Sequence, residues 1–321
     1  MRNSIAALLI LLIASCGEKK MEKDKPIIGF LDFIEDPTIA LAKKGFFDAL
    51  SANGFSEKDS TISIEYANAQ GDIPTLGQAC DLIISKHPIL IATNVTLSTI
   101  TTVQRNKNIP VFMMVSPRPD IAKLTDASGK SPSNLFGVYE TLDYLDTAIT
   151  LIKQLRPSAK TVGTIYNQSE PQSVDAFNKL TSGCEKLGIK LEALPVNNSS
   201  ETQLVMQSLL NKNIDVFFAL PDNVIFASFE TVVRSCDEKN IPIFTSEAGL
   251  VTRGAVASFG ADFYQWGYQS GMQAAQYLKQ KNALGLQPEI VLVRKRVFNT
   301  RQAAKFSIIP DSTFTPINST K

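Results

Sequence analysis

Side chains that could bind a small charged molecule stand directly after short apolar runs along the chain. Asp32 follows the run Ile27–Leu31, and Asp222 comes two residues after the run Val216–Leu220. Carboxylates attract an ammonium group, hydroxyls and helix-start N–H groups attract a carboxylate, and aromatic rings stack on apolar groups. Together these residue types would suit a zwitterion with an apolar or aromatic side chain. The candidate binding residues are Asp32, Phe33, Glu35, Thr93, Asn94, Thr96, Ser116, Tyr139, Tyr166, Asn167, Glu170, Ser173, Asp222, Asn223, Ser246 and Glu247.

Each of these candidates also has a purely structural alternative. Asp222 and Asn223 could cap a helix that the pattern places from Val224 to Lys239, because side-chain oxygens accept hydrogen bonds from helix-start N–H groups. Glu35 could simply place a charge ahead of the first predicted helix. Tyr166 could be an ordinary aromatic residue at a strand end. The residues alone leave both interpretations open.

Short apolar strands alternate with helices twice along the chain. The first series occupies residues 26–138 and the second residues 161–245. The segments Asn108–Phe112 and Asn240–Phe244 share the pattern Asn-Ile-Pro before an apolar strand, at corresponding places in the two series. Such alternation favours parallel sheets that are covered by helices on both faces. The sequence therefore predicts an α/β protein with two Rossmann-like lobes.

The later segments predict further crossings between the lobes. Residues 255–260 have a strand pattern, residues 264–279 a helical one, and residues 289–298 that of a last strand. If they return to the first lobe and cross again, the lobes are joined by a hinge of three strands. The predicted lobes comprise residues 26–137 with 256–285, and residues 138–255 with 286–321. Because ligands bind beyond the carboxyl ends of parallel strands, we expect a binding cleft between the lobes.

The amino terminus has the pattern of an exported protein. Arg2 precedes an apolar stretch of about ten residues, which includes Leu8–Ile13, is too short to span a bilayer and is followed by small residues. Residues 1–15 are therefore predicted to be a signal peptide. Cys16 stands where cleavage would occur, so the region looks like a bacterial lipobox, in which acyl chains are attached to the cysteine. We expect a lipid anchor at Cys16 and a flexible tether over residues 16–25; an ordinary signal peptide is the alternative.

Composition and charge argue against several functions. The formal charge is +1 and no basic stripe is interleaved with aromatic residues, so a nucleic-acid partner is not expected. Catalysis is not expected either, because the chain has one histidine, His87, and no glycine-rich phosphate loop after the first strand. No metal site and no cofactor are predicted. Apart from Cys16, the cysteines Cys80, Cys184 and Cys236 lie in predicted helices and are expected to be free thiols.

Several motifs, in the same order along the chain, resemble those of a known family. The opening strand and helix cover Ile28–Leu50, and the segment Ile64–Asp72 (IEYANAQGD) is the most distinctive motif. The segments Ile165–Ser173, Pro221–Asn223 and Arg253–Gly271 also fit. On these motifs the chain resembles the tryptophan/tyrosine-type substrate-binding lipoproteins of ABC transporters, over nearly all of the mature sequence.

The resemblance implies a type I periplasmic-binding fold and capture of a small ligand between closing lobes, with aromatic amino acids favoured. It also implies delivery to a membrane permease with a separate ATPase. A monomer is expected, and the export pattern predicts a place in the bacterial cell envelope, facing the periplasm or the exterior. A sensor that reports the ligand to a membrane signalling partner is the alternative. The chain departs from the family pattern at Asp32, Asp36 and Ser116–Arg118, so the ligand is what the resemblance specifies least.

Overall fold

The computed structural model describes residues 25–318. The predicted signal peptide, Cys16 and nearly all of the predicted tether lie outside the described residues. The strands are β1 (Ile27–Asp32), β2 (Ser63–Asn68), β3 (Leu90–Asn94), β4 (Val111–Pro117), β5 (Leu135–Glu140), β6 (Thr161–Tyr166), β7 (Lys190–Pro195), β8 (Val216–Ala219), β9 (Ile243–Thr245), β10 (Ala257–Ala261), β11 (Glu289–Ile290), β12 (Arg294–Asn299) and β13 (Thr315–Ile317). The helices are α1 (Pro37–Ala52), α2 (Ile73–Ser85), α3 (Thr96–Arg105), α4 (Tyr144–Leu155), α5 (Pro171–Lys186), α6 (Thr202–Leu210), α7 (Asn223–Ala227), α8 (Phe229–Glu238), α9 (Ala248–Arg253), α10 (Phe263–Gln280) and α11 (Thr300–Lys305).

The strands form two sheets, one in each lobe. The first sheet has six strands in the order β11-β5-β4-β3-β1-β2, and its neighbours are all parallel. The second has seven strands in the order β13-β12-β10-β9-β8-β6-β7, and only its β10–β12 pair is antiparallel. The predicted α/β architecture of two lobes with parallel sheets is confirmed, apart from this one antiparallel pair.

Three short segments connect the two sheets. They are residues 141–143, residue 262 and residues 291–293. The predicted hinge of three strands is therefore confirmed. It divides the predicted last strand into β11 and β12, because residues 291–293 cross from one lobe to the other.

The lobe boundaries differ from those predicted. The sequence analysis places β10 in the first lobe, but β10 pairs with β9 and β12 in the second sheet. Conversely, β11 is predicted in the second lobe but pairs with β5 in the first sheet, and β5 continues to Glu140. A strand such as β10, which is buried on both faces, has the same apolar pattern in either sheet, so the pattern does not specify where it belongs. The strand β11 consists of two exposed residues and has no such pattern.

The predicted helix from Val224 to Lys239 is interrupted. It consists of α7 and α8, which meet at Ser228. The Ser228 hydroxyl donates a hydrogen bond of 2.6 Å to the backbone oxygen of Val224. Serine side chains that bond back to a preceding carbonyl in this way compete with the helical pattern.

Close packing of α1 against α10 brings two helix starts to the cleft. A Cβ atom on Gly267 would lie 1.8 Å from the backbone oxygen of Ala42, and one on Gly271 would lie 2.5 Å from that of Phe46. Glycine is therefore required for this approach. The order of these contacts shows that the helices run parallel, so both begin at the edge of the lobe that faces the cleft.

The cysteines of the described region are free and buried: Cys80, Cys184 and Cys236. This confirms the prediction of free thiols. Burial raises the pKa of Cys184 to about 11, which makes that thiol a poor nucleophile. Over residues 25–318, no helix is long and apolar enough to cross a membrane.

Candidate functional site

A cavity of about 30 Å³ lies between the lobes, over the carboxyl ends of β3, β4, β5, β8 and β9. Its wall contains Val95, Thr96, Val115, Ser116, Pro117, Glu140, Phe263 and Trp266 from the first lobe, Leu142 from the hinge, and Tyr144, Gln172, Pro221, Asn223, Phe226 and Glu247 from the second lobe. A space of this size holds about one water molecule. The lobes are therefore closed around a candidate ligand site.

The structure brings only part of the predicted site residues to this cavity. Those that line it are Thr96, Ser116, Asn223 and Glu247. Those that are buried but do not line it are Asp32, Phe33, Thr93, Asn94, Asn167, Glu170, Ser173, Asp222 and Ser246. Glu35 is exposed, Tyr166 stacks on Phe177 with ring centroids 4.1 Å apart, and Tyr139 lines a separate groove. The expectation that ligands bind beyond the carboxyl ends of parallel strands, here called the strand-end rule, applies to a whole edge of a sheet. The ends of β1 and β6 lie on that edge but to the side of the cavity.

Aromatic rings from both lobes form one wall of the cavity. Phe263 of the first lobe makes edge-on contacts with Trp266, at 5.7 Å between centroids, and with Phe226 of the second lobe, at 5.9 Å. The indole N–H of Trp266 donates to the backbone oxygen of Val138 at 2.8 Å, which fixes the ring. Such a wall favours an aromatic or apolar ligand group.

Sequence reasoning missed this aromatic wall. Trp266 had a signal, because it is the single tryptophan and shares one side of a predicted helix with polar residues. No feature of the sequence pointed to Phe226 or Tyr144, since their place in the wall depends on how the lobes meet.

The start of α3 offers unpaired N–H groups on the first-lobe side. Within residues 25–318 no side chain caps this helix, and the first hydrogen bond into it runs from the Thr99 N–H to the Val95 oxygen. The N–H groups of the first helical turn have no intrahelical acceptor and carry the positive end of the helix dipole. Val95 and Thr96 line the cavity at this point. The site can therefore hold a carboxylate here.

Backbone strain occurs at bulky residues of the same wall. Val95, Val115 and Leu142 all have positive φ angles, of 66°, 50° and 60°. Eight other non-glycine residues of the described region also have positive φ, but Val95 and Val115 are the two β-branched ones, for which positive φ is a clear outlier. Strained conformations of this kind cluster where a protein holds a ligand, so the two valines support this cavity as the site.

Glu247 presents an unpaired carboxylate oxygen at the second-lobe side. Its side chain is fully buried, and its Oε1 accepts hydrogen bonds from the hydroxyls of Tyr144 and Ser246, both at 2.9 Å. Its Oε2 has no partner among the described residues. Burial raises the pKa of Glu247 to about 8. Gln172 and Asn223 line the same cavity, and Gln172 Oε1 and Asn223 Nδ2 are also buried with no partner in the described part of the chain.

The other carboxylate of the cavity wall is neutralised. Glu140 is fully buried, and Arg294 donates to both of its oxygens, at 2.7 Å from Nη2 and 3.0 Å from Nε. This bidentate pair ties the end of β5 to the start of β12, across the hinge.

An inter-lobe ion pair, Asp36 with Arg253, closes the cleft at its rim. The Arg253 Nη1 donates to Asp36 Oδ2 at 2.6 Å and to the Thr38 hydroxyl at 3.2 Å. Within its own lobe Arg253 also bonds Glu230 and the backbone oxygen of Phe226. The Arg253 and Asp36 side chains are only 8% and 1% exposed. These contacts hold the lobes together beside the ligand cavity.

Asp222 acts within the second lobe. Its Oδ1 accepts from the N–H groups of Val224 and Ile225, and its Oδ2 from the Asn167 N–H and the Ser173 hydroxyl. Asp222 therefore caps α7, which is the structural role that the sequence left open. Burial and the neighbouring Asp222 raise the pKa of Glu170 well above its usual range.

A larger groove of about 650 Å³ lies on the outer side of the first lobe, beside Arg118, Lys130 and Tyr139. All of its wall comes from that lobe, and it contains neither strained valines nor an unpaired buried carboxylate. We therefore regard the smaller inter-lobe cavity as the candidate site.

Comparison with known proteins identifies the family. The sequence model described as ABC transporter substrate binding protein matches residues 27–314. This chain belongs to that family. The predicted family resemblance is thereby confirmed. ABC transporter substrate-binding proteins bind solutes and are not enzymes, and they act outside the cytoplasm.

Individual relatives agree with this assignment. The substrate-binding protein described here is 35% identical, over 272 residues, to the tyrosine-binding protein of Clostridioides difficile, covering 84% of this chain and 77% of the relative. Its fold matches that of an ABC domain from Streptococcus pneumonia in complex with L-Trp, with a TM-score of 0.82, 27% identity and coverage of 90% and 97% of the two chains.

A third relative bears on the arrangement of the lobes. The ligand-free, open structure of a substrate-binding protein with adhesive properties from Clostridium difficile has 26% identity and covers 92% and 100% of the two chains, but its TM-score is only 0.67. At nearly equal identity, our structure is thus more similar to the ligand-bound relative than to the open one. This agrees with the small cavity and the inter-lobe ion pair.

Proposed function

We propose that this substrate-binding protein captures an aromatic amino acid between its lobes and delivers it to a membrane permease driven by a separate ATPase. The observation that carries the proposal is the composition of the cavity wall. It combines aromatic rings, an uncapped helix start and an unpaired carboxylate, which match the side chain, the carboxylate and the ammonium of such a ligand. The tyrosine-binding and L-Trp-bound relatives support the same ligand class.

Binding requires the lobes to open and close. The cavity of about 30 Å³ is far smaller than the roughly 300–1,000 Å³ of ordinary ligand pockets. The ligand must therefore enter an open form, and the form that closes around it must have a wider cavity than this structure does. Because both lobes contribute wall residues, a bound ligand contacts both and shifts the population toward the closed form.

Aromatic amino acids are expected to change the fluorescence of Trp266 and to raise the melting temperature of the mature protein. Trp266 is the single tryptophan and stands in the cavity wall, so its emission reports on this site. Tyrosine at about 100 times its dissociation constant should stabilise the protein by about 2.7 kcal/mol. Leucine, ribose and spermidine serve as controls. A response to one of these controls, with none to tyrosine, phenylalanine or tryptophan, would contradict the ligand class.

We also propose that Cys16 carries a lipid that anchors the protein to the membrane, with residues 16–25 as the tether. The support is the sequence pattern around Cys16 and the extracytoplasmic role of the family. Replacing Cys16 by serine is expected to move the protein from the membrane fraction to the soluble fraction of cells. Replacing Ser15 by alanine, another small residue, should leave it in the membrane fraction. Detergent-dependent retention of the Cys16→Ser variant would rule out this anchor.

A further inference from the structure

The two carboxylates in the cavity wall have different surroundings. Glu140 is neutralised by the bidentate guanidinium of Arg294. Glu247 receives only hydroxyl donors, and among the described residues no cation pairs with it. A buried carboxylate without a cation is unfavourable in a closed protein. Glu247 is therefore the carboxylate of the cavity wall that a positively charged ligand group would stabilise.

We propose that Glu247 binds the ammonium group of the ligand and thereby selects amino acids against acids of the same shape that lack the amine. This inference rests on the proposed function and specifies how the ligand lies in the site.

The local geometry prepares Glu247 for this role. The hydroxyls of Tyr144 and Ser246 hold Oε1, so that the carboxylate is fixed and Oε2 is the free acceptor. Gln172 lines the same cavity, and its Oε1 is a second buried acceptor without a partner. An ammonium group has several N–H donors and can use both oxygens.

The other buried carboxylates are already committed. Both oxygens of Asp222 accept hydrogen bonds within the second lobe. Asp32 pairs with Lys43 through Oδ2 at 3.2 Å; its Oδ1 has no partner among the described residues, but the side chain has a cation beside it and does not line the cavity. Glu170 accepts from the N–H of Asn223 and from the side chains of Asn167 and Gln172.

The opposite wall determines the orientation of the ligand. The start of α3 attracts the ligand carboxylate to the first lobe, and Glu247 attracts the ammonium to the second. The zwitterion then bridges the lobes, with its ring against the wall of Phe226, Phe263 and Trp266. Each lobe binds one end of the ligand, so closure depends on both charges being present.

Proton exchange accompanies this mode of binding. The titratable groups that face Glu247 are Tyr144 on α4 and Glu140 at the end of β5, the latter paired with Arg294 on β12. Without a ligand, burial raises the pKa of Glu247 to about 8, so the group is mostly protonated at neutral pH. An ammonium beside it favours the ionised form, so binding releases a proton and tightens as pH rises from 6 to 8.

The stability of the ligand-free protein changes with pH in the opposite direction to its ligand affinity. The pKa of Glu247 in the folded, ligand-free protein lies above its ordinary value of 4.5, so the folded state keeps a proton that the unfolded state loses. This contribution is fully present below about pH 4.5 and is lost as pH rises to about 8. Ligand-free stability should therefore fall over this window while ligand affinity rises between pH 6 and 8.

The test compares tyrosine with 3-(4-hydroxyphenyl)propionate, which lacks only the amine, on the wild-type protein and on Glu247→Gln. Glutamine keeps the acceptor for Tyr144 and Ser246 but cannot be ionised. We expect the wild type to prefer tyrosine by about 30-fold or more, and Glu247→Gln to lose most of this preference while binding the propionate as before. Glu192→Gln removes a carboxylate of the same lobe, on the outer strand β7, and should keep the full preference.

Calorimetry at pH 7 in two buffers of different ionisation enthalpy gives a second readout. Tyrosine should release up to one proton on binding to the wild type and none on binding to Glu247→Gln. The inference would be overturned if the wild type bound tyrosine and the propionate with equal affinity. It would also be overturned if Glu247→Gln lowered the affinity for both ligands by the same factor. If the wild type binds no aromatic amino acid, the proposed function itself fails.

Discussion

Replacement of Arg253 by alanine is expected to weaken ligand binding about 100-fold. Arg253 and Asp36 belong to different lobes and are paired only when the lobes are closed. Without the guanidinium, closure would bury the Asp36 carboxylate without a cation, and removing one partner of a buried pair costs about 3–5 kcal/mol. The N–H groups of Thr38 and Ile39 still bond Asp36, so we take the lower value, which corresponds to about two orders of magnitude in affinity.

The measurement is the dissociation constant of tyrosine by titration calorimetry, together with the radius of gyration by X-ray scattering. The variant should have the larger radius at subsaturating ligand. Arg105→Ala is the matched control, because it breaks an ion pair of the same 2.6 Å length that is exposed and lies within the first lobe. Its effect on the dissociation constant should be negligible.

A double-mutant cycle separates the ion pair from the other contacts of Arg253, which include the Phe226 oxygen in the second lobe. Asp36→Asn retains an oxygen for capping α1 but removes the charge. In that background Arg253→Ala should cost much less than it does in the wild type. Equal costs in both backgrounds, or an unchanged dissociation constant in the single variant, would show that the pair does not control closure.

Replacement of Asp222 by alanine is expected to lower the free energy of unfolding by about 3 kcal/mol. The loss of the α7 cap accounts for about 1 kcal/mol. The buried Ser173 hydroxyl would lose its acceptor and the Asn167 N–H one of its two acceptors, which costs about 1–3 kcal/mol. Relief of the repulsion between Asp222 and Glu170 offsets part of this cost.

Urea denaturation of the ligand-free protein measures this change. Asp72→Ala is the control, because Asp72 also caps a helix, α2, but is exposed and bonds only Thr75. The loss of this exposed cap should lower the free energy of unfolding by much less than Asp222→Ala does. If Asp222→Ala cost no more than Asp72→Ala, the buried hydrogen-bond network around Asp222 would not contribute to stability.

The candidate site shows how far the strand-end rule reaches. Thr96 and Glu247 line the cavity because β3 and β9 end there, as the rule expects. Asp32 and Tyr166 obey the same rule, yet they end strands that lie beside the cavity. The rule specifies an edge of a sheet, and the contact between two lobes selects a part of that edge.

By itself, the sequence predicted the two-lobed α/β fold, most of the order of strands and helices, and the chemical types of the candidate binding groups, but it did not predict α4, α9, α11 or β13. These properties follow from local apolar periodicity and from residues that directly follow a strand, so short segments of chain contain them. The tertiary structure alone decided the sheet to which β10 belongs, the contact of Arg253 with Asp36 across 217 residues, and the unpaired oxygen of Glu247. Such features depend on which distant segments meet when the lobes close, and no local pattern records that geometry.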